Sequence, residues 1–197
     1  MSTLNCILLK IQHPFLLLIK KLLIMKQIWV ITKKELSSYF DSLLAYIIIL
    51  LFLGFTGFFT WLYGADIFYR KEASLDVFFN IAFWTLFIFI PLISMRSIAE
   101  ENNLGTLEII LTKPVNEWQL VTGKFLAILI LICITLAMTL PYYITVWALG
   151  PIDHGAVWCG YLGLILMSAA YASIGIFASS LTKNQIVAAL ITFLILV

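Results

Sequence analysis

The sequence predicts an all-α, polytopic helical membrane protein, and three observations carry that prediction. Hydrophobic residues make up 63% of the 197 and charged residues only 11%, against roughly 45–50% and 25% in an ordinary soluble domain. The apolar residues gather into uncharged stretches close to the roughly 20 residues that a helix needs to cross a bilayer core of about 30 Å. The basic residues between those stretches fall on alternate loops, as they do when cytoplasmic flanks retain positive charge.

Taken in order, residues 1–24 fit neither a spanning helix nor a cleavable signal. Their apolar run, Phe15 to Ile19, is short and is hemmed in by Lys10, His13, Pro14, Lys20 and Lys21. They are set apart as an N-terminal extension, and the transmembrane domain is expected over 25–197. Met25 opens an amphipathic segment in which Trp29, Thr32, Leu36 and Tyr39 recur at helical spacing, with Lys26, Lys33, Lys34 and Ser37 largely on other faces. It reads as an interfacial helix along the inner membrane surface; a cytoplasmic extension of the first span is the alternative. Complete spans are expected at Leu43 to Tyr63, with Asp41 or Ser42 as cap, and at Val77 to Met95, with Pro91 near its end. Two more are expected at Phe125 to Ala148, with Pro141 in its outer part, and at Val157 to Ser180. A fifth opens at Ile186 and is still apolar at Val197, fewer residues than a crossing takes, so the domain is expected to be incomplete at its C-terminus.

Charge orients these spans. Of the 12 Lys and Arg, only Arg70 and Lys71 fall on one side; the others lie before the first span, between spans two and three (Arg96, Lys113, Lys124), or after span four (Lys183). That bias predicts a cytoplasmic N-terminus and residence in the cytoplasmic (inner) membrane. Trp61, Tyr63, Tyr142, Tyr143 and Trp147, near the outer ends, read as anchors at the membrane–water boundary.

Composition also removes several function classes. The net charge of +2 carries no polybasic block, so no nucleic-acid partner is expected. Cys6, Cys133 and Cys159 lack the close spacing of a zinc site or redox pair and read as packing residues. The four complete spans contain no Asp, Glu, Lys, Arg or His, which argues against proton-coupled transport and intramembrane catalysis. His13 and His154 are too isolated for a metal pair, and His154 beside Asp153 reads as a solvated turn after Gly150 and Pro151. No catalytic, cofactor-binding or metal-ligating residue is assigned. In span four, Ser168 with Ala172 and Gly175 with Ser179 have the four-residue spacing of close helix packing, either within the chain or against a second subunit.

The substantial polar stretch is Arg96 to Lys124, between spans two and three. It lacks the G-x-x-x-x-G-K-[ST] pattern that cradles nucleotide phosphates, so ATP binding is not expected in this chain. Leu104, Leu107 and Leu111 give a short helix an apolar face, and Glu100, Glu101 and Glu108 supply its polar positions. Pro114 disfavours helix at Lys113 and closes that element. Asn116 is then a natural N-cap with Gln119 completing a capping box, Val115 against Leu120 has staple spacing, and the next helix is expected to begin near Glu117. The stretch is either a rigid device that passes a push into the membrane or a well-folded connector.

The string Glu100-Glu101-Asn102-Asn103-Leu104-Gly105-Thr106-Leu107-Glu108, followed by Leu111-Thr112-Lys113-Pro114-Val115, Trp118-Gln119 and Gly123-Lys124-Phe125, resembles the ABC-2 type transporter permeases. It is closest to their gliding-motility-associated branch. Ser180-Leu181-Thr182-Lys183-Asn184-Gln185 resembles that family's second cytoplasmic loop. The resemblance implies a six-span permease subunit of an export system, paired with a second permease in a homo- or heterodimer and with a cytoplasmic ATPase that binds the ATP and Mg. It implies a coupling helix around Gly105 to Leu111. There Glu100, Glu101 and Glu108 offer polar contacts, Gly105 allows close backbone approach, and Thr106 caps or docks. Leu104, Leu107 and Pro114 belong to the same coupling set. A non-transporting membrane anchor that recruits an ATPase to a larger machine is the competing implication.

Overall fold

The computed structural model describes residues 24–63, 75–105 and 116–197, and the side chain of Tyr63 is not among what it describes. The N-terminal extension, apart from its last residue, and Arg70 and Lys71 therefore lie outside the described residues. Every described element is helical, with no strand among the described residues.

The first described element is α1, residues 24–41, after which the chain turns at Ser42 and Leu43. Leu43 takes the left-handed conformation, φ 60°, which disfavours continuation of a right-handed helix in an L-residue. So α1 and α2 (Leu44–Phe58) are separate helices rather than one long one. The expected caps are not used. Ser42 donates to Tyr39 O and Asp41 accepts from Ser37 Oγ, so both side chains close α1 instead of opening α2. A π-helical turn, Phe59–Tyr63, prolongs α2.

The remaining elements are α3 (Asp76–Ser94), the short α4 (Ala99–Asn103), α5 (Glu117–Ala137), α6 (Leu140–Leu149), α7 (His154–Leu181) and α8 (Gln185–Leu196). Four helical stretches are long and apolar enough to cross a membrane: Leu44–Leu62, Asp76–Asn103, Glu117–Leu149 and His154–Leu181. The protein is thus all-α and polytopic, with α8 a shorter apolar helix of 12 residues. The third expected span is two helices, because α5 stops at Ala137 and Pro141 sits in the first turn of α6, where its missing N–H is harmless. Pro91 lies inside α3 and is buried.

Sequence-local chemistry explains the helix starts. Gln119 Oε1 accepts from Asn116 N–H at 3.0 Å, closing the expected capping box, and α5 begins at Glu117. Val115, the expected staple partner of Leu120, lies outside the described residues. Asp153 Oδ1 accepts from Gly155 N at 2.9 Å and caps α7. His154 is consequently the first residue of a helix and not part of a free turn, and its Nδ1 lies 2.6 Å from the Tyr143 hydroxyl.

The helix α7 is central, packed against α3, α5 and α8, while α2 lies outside α3. The spacing Ser168, Ala172, Gly175, Ser179 is buried within this chain. A methyl group at Gly175 would meet Ser94 Cβ at 2.6 Å, so α3 and α7 touch nearly backbone to backbone there. The small residues serve packing inside the subunit. Buried hydroxyls bond their own helices: Thr56 to Phe52 O, Thr135 to Leu131 O, Ser168 to Leu164 O and Thr192 to Ala188 O, all within 3.0 Å. Each leaves an effectively apolar surface for its neighbour.

Candidate functional site

Between α3 and α4 the chain makes an elbow over residues 95–98, the stem of the polar stretch between spans two and three. Two helices hold it. From α7, Ser179 Oγ accepts from Ile98 N at 3.1 Å and from Ala99 N at 2.9 Å, and donates to Met95 O at 3.0 Å. One hydroxyl thereby satisfies two of the orphan donors that open α4.

From α5 comes Lys124, 1% exposed. Its ammonium lies 2.9 Å from Glu101 Oε1 on α4 and 3.3 Å from Glu35 Oε1 on α1, and donates to Ser97 O at 2.6 Å. An ammonium has three N–H donors, and three acceptors surround this one. A buried charge is tolerable when it is paired and fully hydrogen-bonded, so the elbow, α1 and α5 are held by one atom. The next residue back fixes how closely α1 approaches. Thr32 Oγ1 lies 3.2 Å from Gly123 O, and a methyl group at Gly123 would sit 2.6 Å from Ile31 Cγ2.

Tyr39 completes the α1 face at 8% exposed. Burial pushes its phenol above the ordinary range, and the carboxylates of Glu35, Glu101 and Glu100 push it further, so it remains a neutral O–H. A cavity of about 240 Å³ lies beside this cluster, with Lys34 and Arg96 exposed at its rim and Ser97 and Tyr39 buried in its wall.

The expected coupling residues divide. Glu101 is bonded inward to Lys124, whereas Glu100 is half-buried in the cavity wall. Leu104 is exposed, and Gly105 has φ +68° with open space where a side chain would project. That φ suits glycine and ends α4, and the expected coupling helix from Gly105 to Leu111 lies, beyond Gly105, outside the described residues. Thr106, Leu107, Glu108 and Pro114, with Leu111, lie outside the described residues.

Lys124, Glu35, Ser97, Ser179 and Gly123 were not singled out for this role by the sequence. Lys124 counts there as a flanking charge, yet a helix starting at Glu117 already places it two turns inside. Glu35 stands at i+3 from Thr32 and i−4 from Tyr39, on the face those residues define. Trp29, expected on that face, is instead 61% exposed. The arrangement is a saturated ionic joint between three helices at the base of a polar loop.

The family model described as ABC-2 family transporter protein matches residues 29–197, a region that includes every residue of this joint. No curated protein and no solved structure shows a significant match. With the match spanning most of its length, the chain belongs to the ABC-2 transporter family, as a membrane-spanning permease component of an ABC system.

Proposed function

We propose that this chain is the permease subunit of an ATP-driven exporter, in which a separate cytoplasmic ATPase acts on the loop 96–124 and the Lys124 joint passes the push to α1 and α5. The observation that carries this reading is the joint itself. A displacement of α4 cannot occur without moving Glu101, and Glu101 shares one ammonium with Glu35 on α1. Interfaces of this kind have discrete arrangements, so ATP-dependent docking shifts the population between inward- and outward-facing states. The N-terminus, α1 and the loop lie on the cytoplasmic face, in keeping with the charge bias. A second permease subunit completes the pathway. The loop string supports placement in the gliding-motility-associated branch.

The test is co-purification and transport with the cognate ATPase. Glu108→Lys and Gly105→Trp are expected to weaken ATPase retention without disturbing membrane insertion. Retention equal to wild type in both variants removes the loop from the docking surface. Lys124→Gln is expected to keep the ATPase bound while ATP turnover no longer drives substrate movement in proteoliposomes. Orientation is checked by an impermeant thiol reagent on intact cells, expected to label a cysteine placed at Asp153 and not one placed at Asn103.

A further inference from the structure

The cavity beside the joint has a charge pattern that the joint does not use up. Three cations (Lys34, Arg96, Lys124) and three carboxylates (Glu35, Glu100, Glu101) line it. Lys124 spends all its donors on Glu35, Glu101 and Ser97 O. Lys34 and Arg96 stand exposed at the rim with no ion pair among the described residues, and Glu100 is half-buried in the wall. The cavity therefore offers both signs of charge, with little net charge of its own.

Ser97 supplies an independent observation. It lines the cavity at 4% exposure, and its Oγ has no hydrogen-bond partner among the described residues. A buried hydroxyl left unpaired is costly, and a ligand that accepts a hydrogen bond from it recovers that cost. Tyr39, also buried, adds a phenolic O–H to the same wall.

Position selects the class of ligand. Leu44, the first residue of α2, lines the cavity, and Arg96 and Ser97 follow directly on the end of α3. The cavity thus sits at the start of α2 and just past the end of α3, and on the cytoplasmic orientation proposed above that is the level of phospholipid headgroups. We propose that it binds the headgroup of a zwitterionic aminophospholipid, with the phosphate on Lys34, Arg96 and the Ser97 hydroxyl and the primary ammonium on Glu100. An anionic headgroup satisfies the cations but faces Glu100 with no counter-charge. A quaternary ammonium carries the charge without N–H donors. The lipid bridges α1 and the elbow and so seals the ionic joint from water.

The test uses the full chain in lipid-free detergent micelles. Phosphatidylethanolamine, phosphatidylglycerol and phosphatidylcholine of one acyl composition are titrated in turn and read by native mass spectrometry. Phosphatidylethanolamine is expected to bind about tenfold more tightly than the other two, the effect of one good charged hydrogen bond. Arg96→Gln and Ser97→Ala should weaken it several-fold, and Glu100→Gln should remove the preference over phosphatidylglycerol. Melting temperature and monodispersity establish that each variant is folded. Equal binding of the three lipids, or a preference that persists in folded Glu100→Gln and Arg96→Gln, overturns the proposal. Displacement of the lipid by inorganic phosphate at comparable concentration also overturns it, in favour of a free phosphate.

Discussion

The two ends of the helical bundle are joined by different physics. At the end where α1 meets the elbow, single polar atoms do the joining: Lys124 Nζ gathers α1, α4 and the elbow carbonyl, and Ser179 Oγ ties the elbow to α7. At the other end rings do it. Phe78 of α3 lies 6.0 Å from Tyr142 of α6 and 5.9 Å from Tyr161 of α7, and Phe79 lies 5.5 Å from Tyr161, centroid to centroid. Trp61 joins the same group at 6.4 Å from Tyr142. A ring cluster shares its attraction over many weak contacts, whereas an ionic joint concentrates it on one group whose loss leaves buried charge behind. The charged end should therefore be brittle and the aromatic end tolerant, which suits a device driven from one end.

The largest expected effect is at Lys124. Lys124→Met removes the cation and leaves two carboxylates in a largely buried site, a loss of about 3–5 kcal/mol for a broken buried pair. Thermal unfolding of the solubilised protein should show it as a clear fall in Tm. Adding Glu35→Gln and Glu101→Gln to that background should recover most of the loss. A Lys124→Met protein that melts with the wild type would mean that the joint is not what holds this end. The next effect is steric and at the same end. Gly123→Ala pushes a methyl group onto Ile31, and overpacking of this kind costs about 1–3 kcal/mol. Ile31→Ala in the same chain should give much of it back, and the non-additivity in a double-mutant cycle is the measurement.

The contrast between the ends also explains what could be read from the sequence. Span number and the capped start at Glu117 follow from local rules of length and capping, and these were legible; a separate helix before the first span was expected too, but the break is made by left-handed Leu43 and not by an Asp41 or Ser42 cap. The small residues of α7 were legible as packing, though the side they serve was settled only by Ser94 lying against Gly175. The ionic joint was not read, because it unites Glu35, Ser97, Glu101 and Lys124 across long sequence separations and no periodicity links them. Lys124 is also misleading at first sight, since a lysine at the edge of an apolar run usually faces water. The contacts among the rings at the other end were not legible for a similar reason. Trp61 and Tyr142 lie near span ends and read as boundary anchors; what the sequence does not show is that both are half-buried against each other and that Gly57 lets the Tyr142 hydroxyl reach Leu53 O at 3.1 Å.

The smallest effect should come from a polar atom at the aromatic end. The Tyr161 hydroxyl lies 3.1 Å from Thr139 Oγ1, a buried pair that resembles the bonds of the charged end. Tyr161→Phe deletes it, yet Thr139 Oγ1 still donates to Leu136 O at 2.7 Å, and the ring contacts with Phe78 and Phe79 are unchanged. Hydrogen bonds between membrane helices average about 0.6 kcal/mol, so a loss below about 1 kcal/mol is expected, with a small change in Tm. The size of this change decides whether the ends differ in kind. A loss approaching that of Lys124→Met would show the aromatic end hanging on one hydroxyl, with its rings contributing little, and brittleness would then be a property of every buried polar atom in the bundle. A small loss leaves it specific to the joint that carries a charge.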